Sequence, residues 1–428
     1  MSAFIFCVDS SSGLPIFSRK KGNVDSLPFS IKGSLNGVHM YGKSLNLELL
    51  NTLTEDYCIS WKEFEDSVIL IGISSGCTKE VLNNLLTSVF NSMVLIVGIE
   101  EIKSQRIIDR LKRELKTCYP LIDRLMDSLD CGGTNNKYYS DIVGLAECIL
   151  CPENHLIQIL LESYMEYVDS LYSCVLINGK ICVATESWWS LDPEEIKLLS
   201  LLAMSEGGTS KDIPIFLPYK SPTMAFRFVA CTLIPDVQIC SLCGPTPNLV
   251  EIERSVTQCF KSSTELFTAA LHTHPRNFPA SCQVDSGILG LLLVNYSAGK
   301  YVISKNPHQN ATKKIASSSH RLDILRTFYY RMVLSFLMNE DDKKRVNIEK
   351  ETTKKNDKKK VQKEQPDSSN LNVGKETYWC SEYHKCHALI SQENILCVLY
   401  NSSVPTFEMR FITQRTLKAL VSDKQICW

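Results

Sequence analysis

The chain has 428 residues, 44% of them hydrophobic and 22% charged, and Lys+Arg 46 against Asp+Glu 47 leaves a net charge of -1. That length exceeds one ordinary core and predicts two or three domains. The lack of a basic surplus argues against a protein that lives on phosphate backbones, so no nucleic-acid partner is expected.

Residues 3–8 form a β-rich run closed by Asp9-Ser10-Ser11-Ser12-Gly13, and residues 14–18 read as its return strand. Residues 30–42 (SIKGSLNGVHMYG) predict a short helix that its glycines weaken. Residues 57–61 and 67–73 read as further strands. Val81, Leu82, Leu85, Leu86, Val89, Phe90, Met93 and Val94 then recur at helical spacing behind Thr78 as N-cap. A second helix over 102–118 should bury Ile107, Ile108, Leu111 and Leu115.

The second unit opens with a helix carrying Ile157, Leu160, Leu161, Tyr164, Met165 and Val168 on one face. Residues 173–177 and 180–185 flank Asn178-Gly179, a strong hairpin signal because both positions accept positive φ. Asp192-Pro193-Glu194-Glu195 combines a cap, a proline at the first helical position and an acid three residues after the cap. Strands over 213–217, 225–234 and 237–243 and a helix over 249–271 complete the unit. In the third unit, strands over 288–296 and 301–304 flank a Ser-Ala-Gly-Lys turn, and a helix covers 320–337. After a charged stretch, strands over 378–389 and 395–400 and a helix over 413–421 close the chain.

The 18 cysteines do not read as a disulfide framework. Cys7, Cys58, Cys174, Cys182, Cys231, Cys240 and Cys397 sit in apolar, strand-like runs, where a thiol behaves as a small hydrophobe. Residues 1–13 have no basic n-region, and Asp9 interrupts their apolar stretch, so no secretory signal is expected. No apolar run approaches the ~20 residues that span a bilayer. A cytosolic chain with reduced thiols is therefore expected.

The order hairpin, helix, strands, helix thus occurs three times. It predicts an α+β architecture in which each unit is an antiparallel-rich sheet flanked by helices. The units span 1–130, 150–275 and 283–428, the last with a charged disordered insertion near 339–375. Within that insertion, residues 340–364 hold ten basic and seven acidic side chains with almost no apolar anchor, which predicts a solvated segment. A loose contact with anionic membrane is the functional alternative.

Residues 27–42 (LPFSIKGSLNGVHMYG), 93–101 (MVLIVGIEE), 184–191 (ATESWWSL), 242–247 (LCGPTP) and 285–294 (DSGILGLLLV) resemble the Fuzzy family, in order and separation. The resemblance runs from about Phe4 to Val294 and fades in the last third. It implies three longin domains and an adaptor that pairs with Inturned in the CPLANE assembly, together with a WD-repeat subunit. That pair resembles tri-longin heterodimers that promote nucleotide exchange on a Rab GTPase, here the ciliary Rab twenty-three. The implied setting is cytoplasm, cytoskeleton and the basal body at the cilium base, in cilium assembly, intraflagellar transport, hedgehog signalling and planar cell polarity. Exchange of this kind needs a binding surface rather than an acid, a base or a nucleophile. No catalytic residue, cofactor or metal is expected. The resemblance places Asn36, His39, Tyr41 and Trp61 on the elements that meet the partner, while Leu35 and Val38 should face the core. Trp188 and Trp189 follow a hairpin, and two adjacent indoles do not easily share a side. One is expected to face a partner, with edge-of-core packing as the alternative.

Two rival classes stand beside this reading. His272-Thr273-His274, Cys282 and Asp285 match the spacing of a JAMM zinc metalloprotease, with Cys282 in place of its serine. The histidines, however, fall at a predicted helix end, where that motif would follow a core strand. A longin-type coat or tether subunit is the second rival. Cys148 with Cys151, and Cys240 with Cys243, are CxxC pairs at the wrong separation for a zinc ribbon. Cys380, His384, Cys386 and His387 read as strand alternation rather than a metal site. No Walker A, GxGxxG or serine elbow is present.

Overall fold

The computed structural model describes residues 2–22, 25–104, 108–129, 143–204, 210–308, 318–337, 376–422 and 428. The charged insertion, Ile107 and the neighbouring segments lie outside the described residues.

The first unit contains β1 (Ala3–Asp9), β2 (Pro15–Lys21), α1 (Phe29–Ser44), β3 (Asn51–Leu53), β4 (Cys58–Phe64), β5 (Val68–Ser74) and α2 (Lys79–Val97). The short helices α3 (Ile99–Ser104) and α4 (Ile108–Glu114), a 3₁₀ turn over Leu115–Cys118 and α5 (Tyr119–Asp127) follow. Its sheet runs β2-β1-β5-β4-β3, antiparallel throughout. Strand alternation divides the core between two faces. Ile5, Cys7, Val68 and Leu70 point to α2, whereas Phe4, Phe6, Ile69 and Ile71 point to the other side. Gly72 lets α2 come close, since a Cβ there would sit 3.0 Å from both Leu82 and Leu86.

The second unit contains α6 (Asn154–Val168), β7 (Tyr172–Ile177), β8 (Lys180–Ala184), α7 (Glu186–Trp189), α8 (Pro193–Ala203), β9 (Lys211–Leu217), β10 (Ser221–Ile234), β11 (Val237–Cys243), α9 (Leu249–Phe260) and α10 (Thr264–Leu271), after the two-residue strand β6 (Ala146–Glu147). Its sheet order is β8-β7-β11-β10-β9. The third unit contains β12 (Ile288–Asn295), β13 (Lys300–Ser304), α11 (Ser318–Phe328), a π-helical turn over Tyr329–Leu337, β14 (Glu376–Cys380), β15 (His384–Ser391), β16 (Asn394–Asn401) and α12 (Thr406–Val421). Its own strands run β14-β15-β16-β12-β13. Numbered within each unit, all three sheets have the order 2-1-5-4-3, so the repeat lies in topology rather than residue identity.

One continuous core holds the units together. It includes Leu82 and Val89 from the first, Leu198 and Leu202 from the second, and Leu293, Val398 and Met409 from the third. Polar contacts reinforce these junctions. Lys197 Nζ of α8 donates to Ser88 Oγ of α2 (2.8 Å) and pairs with Glu194 (2.7 Å). Arg326 of α11 donates to the Leu129 carbonyl at 2.8 Å. Residues 146–149 lace two sheets together, with Cys148 N donating to Tyr301 O (2.8 Å) and Ile149 N to Ile181 O (2.9 Å). The buried Glu147 pairs there with Lys180; burial raises its carboxyl above the ordinary range against the pull of Lys180.

Several expectations need correction. The helix over 102–118 is α3, α4 and a 3₁₀ turn, with Ile108 only half-buried, and α5 follows it. The helix over 249–271 is broken by a 3₁₀ turn at Lys261–Ser263, and the strand over 378–389 is two strands folded at 381–383. α2 is long and apolar enough to cross a bilayer by length and composition, contrary to the reading that no run approaches that span. It serves as a core helix, with 67% of its most apolar stretch buried between the first two units.

Candidate functional site

The helix that follows the hairpin is placed differently in each unit. In the second unit, α8 buries every residue from Glu195 to Ala203, wedged against α2. In the third unit, α11 buries Leu322, Leu325 and Phe328 and reaches the end of α5. In the first unit, α1 buries only His39. Its inner side is pinned by Leu35, which packs against the sheet and accepts a hydrogen bond from Trp61 Nε1 at 3.1 Å. Its outer side presents Val38 (54% exposed) and Tyr41 (68%), while Phe29 stands on the opposite flank, lining a small pocket with Phe6, Val8 and Phe17.

The apolar surface continues past the helix through Leu45, Leu47, Leu50 and Leu53 to Tyr57, all exposed. It ends at β3, an edge strand whose outer side has no partner strand among the described residues. The opposite edge is closed: Arg19 of β2 forms a bidentate pair with Asp123 of α5, and Lys21 donates to the carbonyls of Met126 and Asp127. Isolated exposed leucines need no explanation, but several exposed apolar side chains clustered beside an open strand edge are the kind of surface that proteins use for docking. Gly33 and Gly37, one turn apart on α1, have nothing within 4 Å of where a Cβ would stand. Packing within this chain does not require them, and they leave a strip flat enough for close approach by another backbone.

The six interface candidates separate on this surface. Tyr41 lies on the exposed face. Asn36 is half-buried, and its side chain abuts Gly13. Trp61 is buried at 5% exposure and belongs to the core beneath α1, because its indole is used to hold the helix. His39 is buried as well. Trp188 is fully buried in the main core and cannot face a partner; the Thr185 cap turns it inward. Trp189 is half-buried, with Lys300 stacked 5.1 Å from its ring and 4.9 Å from that of Trp428, so its outer face meets this chain's own third unit. Val38, expected in the core, is exposed. Pattern reasoning passed over Leu47 and Leu53; an exposed apolar residue looks like a core residue until the sheet face is known.

The residues with zinc-ligand spacing do not converge. His272 caps the C-terminus of α10 and is exposed, and His274 Nδ1 lies 3.3 Å from Asn277 Oδ1. Asp285 accepts from Gly287 N (2.9 Å) and Arg415 (3.3 Å), and the Cys282 thiol faces the Ala419 carbonyl on α12. Among the described residues, no three His, Cys, Asp or Glu side chains are placed to share an ion. Cys386 faces the core while His387 faces α12, where its Nδ1 lies 2.9 Å from Thr413 Oγ1, as strand alternation requires. The CxxC cysteines 148, 151, 240 and 243 are all buried.

Residues 3–125 match the first longin domain of FUZ, MON1 and HPS1, residues 168–261 the second, and residues 287–424 the third. The chain is 33% identical to a protein fuzzy homolog of Xenopus tropicalis over 431 residues, covering 99% of this chain and 98% of the relative. It is 35% identical to the protein fuzzy homolog of Rattus norvegicus over 333 residues (76% of this chain, 78% of the relative). With that of Homo sapiens it shares 34% over the same length (76% and 77%).

Proposed function

This chain belongs to the Fuzzy family of three-longin adaptor proteins, and from that premise we propose that it forms one half of a heterodimer with an Inturned-like partner. The pair promotes guanine-nucleotide exchange on a ciliary Rab GTPase. The observation that carries the reading is the unpartnered α1 face, bounded by the open edge of β3, in a chain that buries the equivalent helix of its other two units. An apolar helix face beside a strand edge suits a second longin sheet. Such a partner gains area from Val38, Tyr41 and Leu53 and backbone hydrogen bonds from β3.

Exchange by such a pair works through preferential binding of the nucleotide-free GTPase, and the chain contributes surface rather than a reacting group. With a WD-repeat subunit the pair constitutes a CPLANE-type assembly, in the cytoplasm and at the cytoskeleton of the cilium base, serving ciliogenesis, intraflagellar transport, hedgehog signalling and planar cell polarity. The charged run 339–375 adds a loose contact with anionic lipid. Co-expression with Inturned tests the pairing, and release of a fluorescent nucleotide from the Rab tests the exchange. Co-purification with coat or tether subunits in place of Inturned would contradict this reading.

A further inference from the structure

Beneath the C-terminal end of α1 lies a pocket of about 380 Å³, lined by His39, Glu48, Trp61, Glu63, Glu65 and Asp66. Leu49 and the Trp61 indole form its apolar wall. Four carboxylates thus gather in one concavity. Lys43 donates to Glu63 Oε1 at 2.6 Å, and Lys103 pairs with Glu65 at 2.8 Å. No cation is paired with Glu48 or Asp66 among the described ion pairs. The C-terminal carbonyls of α1 add further negative potential.

His39 supplies an independent observation. It is 6% exposed, lines the pocket, and has no hydrogen-bond partner at either ring nitrogen. Glu63 Oε2 lies 3.8 Å from its Nε2, beyond hydrogen-bonding distance. A buried imidazole left without a partner is costly unless something supplies one. Burial holds His39 below its ordinary range against the pull of Glu63, so the neutral ring presents an acceptor as well as a donor. Burial pushes the Glu63 carboxyl up, but hydrogen bonds from Lys43 and Ser10 outweigh it and keep Glu63 ionised. A planar donor carrying positive charge satisfies the whole set: it can donate to the imidazole, lie against the Trp61 indole and face Glu48 and Asp66.

We infer that this pocket receives the guanidinium group of an arginine from the protein that docks on the α1 face. The inference rests on the docking proposed above and adds the chemistry of its anchor. A bare metal ion is a poorer occupant, since no three ligating groups are suitably placed among the described residues. The apolar wall of Leu49 and Trp61 suits the hydrocarbon stem of an arginine side chain.

The test uses the full chain with ¹³C-labelled histidine rings, the His39 signal being assigned by its loss in His39→Gln. N-acetyl-arginine amide should shift that signal saturably, while the neutral isostere N-acetyl-citrulline amide should leave it in place. Glu48→Gln combined with Asp66→Asn should abolish the response and weaken binding of purified Inturned roughly tenfold or more. Asparagine suits position 66, where φ is +51°. Absence of an arginine response, an equal citrulline response, or full Inturned affinity in the double variant would each overturn the inference. If wild-type chain fails to bind Inturned at all, the proposed pairing falls. The arginine titration then still decides the chemistry of the pocket separately.

Discussion

The Trp61 indole donates across 3.1 Å to the main-chain carbonyl of Leu35, and this bond fastens α1 to its sheet. The helix needs the help. It contains Gly33, Gly37 and Gly42, each costing about 1 kcal/mol relative to alanine in a helix interior, and no side chain caps its N-terminus. Trp61 of β4 belongs to the fold, whereas Tyr41 is exposed on α1 and is free to serve a partner.

Trp61→Phe should therefore destabilise the chain by about 1–2 kcal/mol through the lost hydrogen bond, and Trp61→Ala by about 3–5 kcal/mol through the cavity. Tyr41→Ala should move the urea midpoint by no more than the equivalent of ~0.5 kcal/mol. Equal losses at the two positions would show that Tyr41 is packed, contrary to this account.

The contact between Lys197 and Ser88 couples the first unit to the second. Lys197→Ala leaves the largely buried Glu194 without its cation and should cost about 3–5 kcal/mol. A cycle of Ser88→Ala and Lys197→Met should show a coupling of at least ~0.5 kcal/mol. Strict additivity of the two in equilibrium unfolding would show that the bond is not formed.

The cysteines give a pH prediction. Burial pushes the thiols of Cys118, Cys148 and Cys386 up to about 12 from an ordinary 9.0, and that of Cys243 to about 11. Their folded values lie above the unfolded ones, so their contribution is complete below pH 9. It is lost as pH rises toward 11 and 12, because the unfolded chain ionises first. Unfolding free energy should fall steadily above about pH 9. Under native conditions at pH 8, peptide mapping after brief alkylation should find the exposed Cys380 modified well before Cys118 or Cys148. Early modification of those two would show that their units open readily.

Where local chemistry decides structure, the sequence was legible. Asn178 and Gly179 take φ of +50° and +75° in the hairpin turn, and Asp192 and Glu195 form the full capping box. The repeated element order led to the three-sheet architecture. Other features depend on what arrives from far along the chain. The predicted helix ends at residue 118, yet Pro120 sits in the first turn of a further helix, α5, which closes the β2 edge. β3 is three residues long and mostly polar, too short for alternation to show. At the site, the resemblance picked out His39, Tyr41 and Trp61, and the adjacency of two indoles picked out Trp188, without distinguishing inside from outside. Only the sheet beneath α1 separates the buried Trp61 and His39 from the exposed Tyr41 and Val38. Trp188 is withdrawn by a core that all three units share.

The central claim is that the α1 face and the β3 edge pair with an Inturned-like protein. The most direct test is the affinity of purified Inturned for the wild-type chain and for Val38→Asp combined with Tyr41→Asp, with thermal melting of both forms in parallel. Both side chains are exposed, so the account predicts a melting temperature within a few degrees of wild type and binding weakened by roughly a hundredfold or more, as expected when charges enter the apolar centre of an interface. Wild-type affinity in the double variant, with the fold intact, would contradict the claim.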